Sequence, residues 1–151
     1  MGIEYREITD EALLHAALEL CYSILGENTR ENELYSPSAF VERLGEYSPI
    51  LLCACDAPPL VRVGGERPIA AVLGRPESAD SLVMGLVACD EAYRRRGITR
   101  ELVRRFDENA KSLGFKYITL GAADDAWGFY EKCGYSAIAE VHEQKIFQKV
   151  L

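Results

Sequence analysis

A chain of 151 residues with 48% apolar and 27% charged side chains can bury a core and matches the size of one domain, so a single domain over residues 1–151 is expected. No apolar run approaches the roughly 18 residues of a membrane helix, and the start, MGIEYREIT, lacks a basic segment followed by an apolar one, so neither a secretory leader nor a membrane partner is expected. The formal charge of −7, from 24 acidic and 17 basic residues, argues against a general nucleic-acid surface, which has to neutralise phosphates.

In chain order, residues 3–8 alternate apolar and charged side chains, the pattern of a half-buried strand. Thr9 and Asp10 then offer caps for a helix over 11–25, with Leu14, Leu18, Cys21 and Leu25 at helical spacing and Gly26 as its stop. The polar stretch ENTRENELYS reads as a loop, and Ser36-Pro37 opens a short helix through Phe40, Val41 and Leu44 to Gly45. Residues 50–56 are apolar without interruption and predict a buried strand. APPLVRVGGE is too rich in proline and glycine for a strand interior and reads as an extended hairpin connection. PIAAVLGR and SLVMGLVACD, joined by the turn PESAD, follow as antiparallel strands.

The next junction carries the chemistry. An apolar run ends at Asp90, a polar turn brings Arg94, Arg95 and Arg96 to Gly97, and an amphipathic helix begins at once. That helix is expected to bury Ile98, Leu102, Phe106, Ala110 and Leu113 and to turn Arg100, Glu101, Arg104, Arg105 and Glu108 outward, with Glu101–Arg105 and Arg104–Glu108 spaced as pairs. The N–H groups of a first helical turn have no partner within the helix, and the helix dipole makes that end positive, so an anion fits there. Gly97 lets the backbone approach a phosphate, and six arginines between positions 94 and 105 in an acidic chain suggest a small polyanion such as coenzyme A. A solvated basic helix start is the plainer account of the same residues.

KYITLGA then reads as a strand, Asp124 or Asp125 caps a short helix through Trp127 and Tyr130, Gly134 ends it, and YSAIAEVH with KIFQKVL forms a closing hairpin around Glu143. This order predicts an α/β (α+β) fold with a central mixed, mostly antiparallel sheet of about six to seven strands and helices on both faces. The five cysteines, Cys21, Cys53, Cys55, Cys89 and Cys133, sit mostly among apolar neighbours and read as reduced thiols of a cytoplasmic protein, with no metal site.

Two stretches carry a resemblance to a known family. RRRGIT resembles the acetyl-coenzyme A loop of the Gcn5-related N-acetyltransferases (GNAT), which runs Arg or Gln, two residues, Gly, any residue, then Gly or Ala. Arg94 and Gly97 fit it and Thr99 departs. AADDAWGFYEKCGY is similar to that family's later motif: Ala126, Tyr130, Glu131, Lys132, Gly134 and Tyr135 fit, and Ala123 stands where asparagine is usual. The resemblance implies a GNAT-type domain that transfers an acetyl group from acetyl-coenzyme A to a primary amine of a small molecule or peptide. It implies direct attack in a ternary complex, in a protein acting alone or as a homodimer.

It further implies cofactor contacts at Leu86, Val87 and Ala88 on the strand, at Arg94, Arg95, Arg96, Gly97, Ile98, Thr99 and Arg100 on the loop and helix start, and at Ala123, Ala126 and Phe129 after the next strand. Tyr130 aligns with the tyrosine that sits beside the coenzyme sulfur in many members, which makes it the general-acid candidate; a packed core aromatic is the alternative. An oxyanion would need a backbone N–H between positions 86 and 89. The two early helices and their loop wall the acceptor pocket in this family, which makes Tyr22, Glu27, Glu31, Glu33 and Tyr35 substrate-side candidates. The strand at 81–89 lacks the glutamate that several members use as base, leaving Asp80, Asp90 or Glu91 acting through water. These departures keep a non-catalytic acyl-coenzyme A binding module open as the alternative. A nucleotide P-loop is disfavoured, because no Lys-Ser or Lys-Thr follows Gly97.

Overall fold

In the computed structural model, which describes residues 2–56 and 67–151, the alternating start becomes β1 (Ile3–Glu7). The expected connection at 57–66 lies outside the described residues. Asp10 caps α1 (Glu11–Leu25), its carboxylate accepting the Leu13 N–H at 2.8 Å, and Gly26 ends the helix at φ 112, a backbone value that favours glycine. The expected loop contains one short helix, α2 (Asn28–Glu31), beside which Arg30 donates to Glu27 at 3.0 Å and to Glu19 at 2.7 Å. A turn held by exposed ion pairs leaves no apolar period to read, which is why the sequence pattern misses it. Ser36 caps α3 (Pro37–Val41), and Phe40 is its buried residue.

The remaining elements are β2 (Leu51–Asp56), β3 (Pro68–Pro76), β4 (Ser81–Cys89), α4 (Ile98–Ser112), β5 (Tyr117–Ala123), α5 (Trp127–Lys132), β6 (Ser136–Val141) and β7 (Gln144–Val150). All seven strands join one sheet in the order β1-β2-β3-β4-β5-β7-β6. Every neighbouring pair is antiparallel except β4 with β5. The mixed, mostly antiparallel sheet expected from the sequence is the one observed.

Both faces are covered at the centre of the sheet. α1 and α3 press Leu14, Leu18 and Phe40 onto Leu51, Cys53, Leu73 and Leu86, whereas α4 and α5 press Leu102, Phe106 and Tyr130 onto Leu82, Ile118, Leu120 and Phe147. Phe106 fits because Gly74 lies beneath it: a Cβ there would come within 2.6 Å of the ring. Leu113 departs from expectation and is 41% exposed, because α4 ends one residue earlier and position 113 leaves the helical face.

Val103 and Asp107 take inner positions on α4 instead. The Asp107 carboxylate is tolerated there because it accepts from the Tyr135 hydroxyl at 2.6 Å and from Lys149 Nζ at 2.7 Å. Burial raises its pKa even so, against the two bonds that favour the charge. The capping role expected of Asp124 or Asp125 is not observed. A turn of 3-10 helix at Asp124–Ala126 enters α5 with no side-chain cap, and the Trp127 indole N–H closes it onto the Ala122 carbonyl at 2.7 Å.

Candidate active site

The site begins with a defect in β4. Leu73 pairs with Leu86 but Gly74 pairs with Met84, so Gly85 is an extra residue on β4, and such a bulge bends its strand. Glycine is required at that point, since a Cβ on Gly85 would lie 2.7 Å from the Tyr35 ring. On its other edge β4 pairs with β5 only through Ser81, Leu82 and Val83. Beyond Val83 the parallel strands part, and the backbone groups of β4 that point toward β5 have no ladder partner.

A groove of about 860 Å³ opens along this parting. Val87, Ala88 and Cys89 of β4 line it on one side, Ala126, Phe129 and Tyr130 on the other, and Ile24 of α1 reaches it from the opposite face of the sheet. Its floor at one end is the turn before α4. There the Asp90 N–H bonds the Ile69 carbonyl at 2.7 Å, the Asp90 carboxylate accepts the Ala92 N–H at 3.0 Å, and Arg94 Nε donates to the Cys89 carbonyl at 3.3 Å. Arg95 and Gly97 adopt φ values of 64 and 77.

Gly97 is the N-cap of α4 and supplies no side-chain cap, so the first bonded amide of the helix is that of Glu101, on the Gly97 carbonyl at 3.1 Å. The N–H groups of Ile98, Thr99 and Arg100 are left for a ligand. A Cβ on Gly97 would meet nothing within 4 Å, so the space above this turn is open. An uncapped first turn under open space, flanked by arginines, fits a phosphate group.

The six arginines of this region divide. Arg104 donates to Glu101 at 2.6 Å and to Glu108 at 2.5 Å, while Arg105 donates to Glu101 at 2.7 Å and lies over the Tyr5 ring. The hydrogen bonds from Arg104 and Arg105 hold the Glu101 carboxyl down to about 2. Arg96 stacks on the Tyr93 ring, 5.0 Å from its centroid, and does not line the groove; Arg94, Arg95 and Arg100 do.

Three of the expected cofactor positions do not line the groove. Besides Arg96, Leu86 is buried against the α1 side of the sheet, and Ala123 ends β5 outside the groove. The groove does gather Val87, Ala88, Arg94, Arg95, Gly97, Ile98, Thr99, Arg100, Ala126, Phe129 and Tyr130. It adds Ile24, Cys89, Tyr93, Asp125 and Lys132; Lys132 belongs to the later motif, whereas no local sequence pattern marks Ile24.

The base candidates fare differently. Asp80 precedes β4 at the end away from Cys89, separated by roughly 25 Å of strand. It stands 3.7 Å from Lys116 and does not line the groove. Asp90 is engaged as a cap and approached by Arg67 at 3.4 Å, and Glu91 is exposed. On the acceptor side, Tyr22 is buried and holds the α1–α3 connection in place, its hydroxyl donating to the Tyr35 carbonyl at 2.5 Å. Glu27 is paired with Arg30.

Tyr130 is only 7% exposed, edge-on to Phe129 at 5.1 Å and Tyr135 at 6.1 Å between ring centroids. Its hydroxyl makes no hydrogen bond among the described residues, and burial pushes its pKa up to about 12, with Cys133 adding to the rise. Among the described residues there is no cluster of His, Cys, Asp and Glu able to hold a metal ion, and none of the five cysteines is joined in a disulfide.

A model of the acetyltransferase (GNAT) family matches residues 12–135. The chain belongs to that family. It is an acetyltransferase with acetyl-coenzyme A as co-substrate. Solved structures share the fold. PaiA N-acetyltransferase from Thermoplasma acidophilum, in complex with coenzyme A, is 15% identical with a TM-score of 0.76 and 100% of both chains covered. Ard1 from Thermoplasma volcanium is 18% identical with a TM-score of 0.70, covering 100% of this chain and 99% of that one. A chain of the NatC complex bound to Gag peptide and coenzyme A is 19% identical with a TM-score of 0.73, covering 98% and 96%. Curated protein sequences give no match. Among the described residues, no helix of the acetyltransferase is long and apolar enough to cross a membrane.

Proposed function

We propose that this acetyltransferase moves the acetyl group of acetyl-coenzyme A directly to a primary amine of a small molecule or peptide, within one ternary complex. The observation that carries the reading is that the Tyr130 phenol and the amides of the first α4 turn, without hydrogen-bond partners among the described residues, line the same groove. The amides of Ile98, Thr99 and Arg100, with the charges of Arg94, Arg95 and Arg100, receive the phosphates. Val87 and Ala88 on one wall and Ala126 and Phe129 on the other direct the thioester toward the parting of β4 and β5.

There the amine nitrogen bonds to the carbonyl carbon, the C–S bond breaks, and its electron pair goes to sulfur. A backbone N–H of β4 between positions 86 and 89, freed by the parting, meets the carbonyl oxygen as it takes up charge. Tyr130 donates its hydrogen bond and then its proton to sulfur, and regains a proton released by the amine through water. A thiol with a pKa near 8.5 is a fair leaving group, so this donation matters less than freeing the amine. At pH 7 a lysine-like amine with a pKa near 10.4 is neutral only about once in 10^3.4, a deficit of roughly 4.6 kcal/mol.

The whole chain acts as one domain in this reading. Cysteines buried among apolar neighbours, Cys21, Cys53 and Cys55, support a reducing, cytoplasmic setting, and β6, an edge strand with all six residues exposed, is where a second copy would join in a homodimer. Free-thiol release from acetyl-coenzyme A with a panel of amines tests the proposal. Thiol release that requires an amine supports it, and tight coenzyme A binding with no release by any amine would instead make the protein a binding module.

A further inference from the structure

Arg43 and Arg75 lie on the α1/α3 side of the sheet, apart from the arginines at the phosphate end. Arg43 stacks on the Phe40 ring at 4.4 Å and donates to the Gly74 carbonyl at 3.3 Å and the Leu34 carbonyl at 3.4 Å. Arg75 sits near the end of β3, paired with Val83, and its guanidinium lies 5.7 Å from the Tyr35 ring centroid. The side chain is half-buried, its Nε is buried with no partner, and it makes no hydrogen bond among the described residues.

Burial and then the Arg75 charge bring Arg43 down to about 10, so two like charges are held together partly out of water. Glu42 and Tyr35 act on Arg43 in the opposite sense, but among the described residues neither arginine has a carboxylate within ion-pair distance. Arg30, Arg104 and Arg105 all do. Half-buried guanidinium groups without a counter-charge are costly, and a planar oxyanion is the group their fork geometry matches.

Their position gives that oxyanion a meaning. The Tyr35 ring beneath Arg75 is the same ring that covers Gly85, the bulge residue of β4. Gly85 is two residues before Val87, which lines the groove, a separation of about 7 Å along a strand. The two arginines therefore stand within one small molecule's length of the parting strands.

We propose that Arg75, assisted by Arg43, binds an oxyanion on the acceptor, so that the acceptors are amines that also carry a carboxylate or a phosphate. This rests on the acetyl-transfer reading above, since it takes the amine to enter at the bulge.

The test measures thiol release from acetyl-coenzyme A with glycine, β-alanine and 4-aminobutyrate, each against its primary amide, and with O-phosphoethanolamine against ethanolamine. The expected result is a kcat/KM about tenfold or more higher for the anionic member of at least one pair, with the carboxylate and phosphate pairs telling the two anions apart. Arg75→Gln, which breaks no hydrogen bond among the described residues, should erase the preference by raising KM for the anionic member of the pair about tenfold or more beyond its effect on the neutral one; Arg75→Lys should keep part of the preference. Equal or better turnover of the neutral member in every pair, or an Arg75→Gln variant that slows both members alike, overturns the proposal. If no amine releases thiol, the acetyl-transfer reading fails on its own. Calorimetry of the coenzyme A complex with succinate and with inorganic phosphate then decides the arginine site: binding lost in Arg75→Gln upholds it, and no binding by the wild type overturns it.

Discussion

At the scale of single residues, the site combines a glycine and a tyrosine whose surroundings are opposite. Gly97 stands in open space at a φ of 77, so a side chain there would be strained by about 1–2 kcal/mol and would fill the place of the phosphate. Thr99 follows in the free first turn, where the related loops have glycine or alanine, and its hydroxyl can add one bond to a phosphate oxygen. Thr99→Val, nearly isosteric, should then weaken acetyl-coenzyme A binding by on the order of 1 kcal/mol in calorimetry, whereas unchanged or tighter binding would mean that the threonine is only tolerated. Tyr130, by contrast, is walled in by aromatic rings. Burial sets its folded pKa at about 12, above the ordinary 10.0, so the unfolded chain loses this proton first. Its contribution to stability is whole below pH 10 and falls as pH rises toward 12, by roughly 2–3 kcal/mol at most. Denaturation of wild type and Tyr130→Phe across that window should show the gap between them moving by this amount in favour of the variant. A constant gap would mean that the phenol is far better solvated than its packing implies.

At the scale of elements, the bulge at Gly85 and the short β4–β5 pairing make the groove, and only the first left a trace in the sequence, the glycine itself. Alternating apolar residues report that β4 is a strand, but a period of two is blind to where its partner on one edge ends. A glycine inside a strand pattern is the usual mark of a bulge or of a close approach, and Gly85 proves to be both. The Asp10 cap, the apolar face of α1 and the strand–turn–helix around Gly97 were readable because each is local: a capping side chain, a 3.6-residue period, a glycine before an amphipathic run. Asp107 was not readable, because what makes a buried carboxylate acceptable is Tyr135 and Lys149, 28 and 42 residues away. That the Arg96 and Leu86 side chains turn away from the groove was not readable for a similar reason, since a motif fixes which residues are neighbours in the chain and not which way each side chain turns. The bulge yields its own test. Gly85→Ala should destabilise the fold by about 1–3 kcal/mol because its methyl group meets the Tyr35 ring, and adding Tyr35→Ala should recover much of that loss. Additive losses in the double variant would mean that the glycine is required by the backbone alone.

At the scale of the whole molecule, an acidic chain with a net charge of −7 holds, among the described residues, arginines without a carboxylate in ion-pair distance at two places, the loop and first turn of α4 and the Arg43–Arg75 pair beside the bulge. The two lie on either side of a gap in the sheet, which suits an anionic donor entering from one side and an acceptor from the other. Because the ligand binds the folded chain alone, acetyl-coenzyme A at one hundred times its dissociation constant should stabilise the enzyme by about 2.7 kcal/mol, seen as a rise in Tm; no shift at millimolar ligand would contradict the cradle at Gly97. The central claim is that the Tyr130 hydroxyl serves the departing sulfur, and single-turnover thiol release by Tyr130→Phe with a competent amine is the most direct test of it. The predicted result is a rate of acetyl transfer lower by about a hundredfold, with the affinity for acetyl-coenzyme A and the stability at neutral pH nearly those of the wild type. Full-rate transfer by the variant, under conditions where the chemical step is limiting, would contradict it and leave Tyr130 as a packed aromatic.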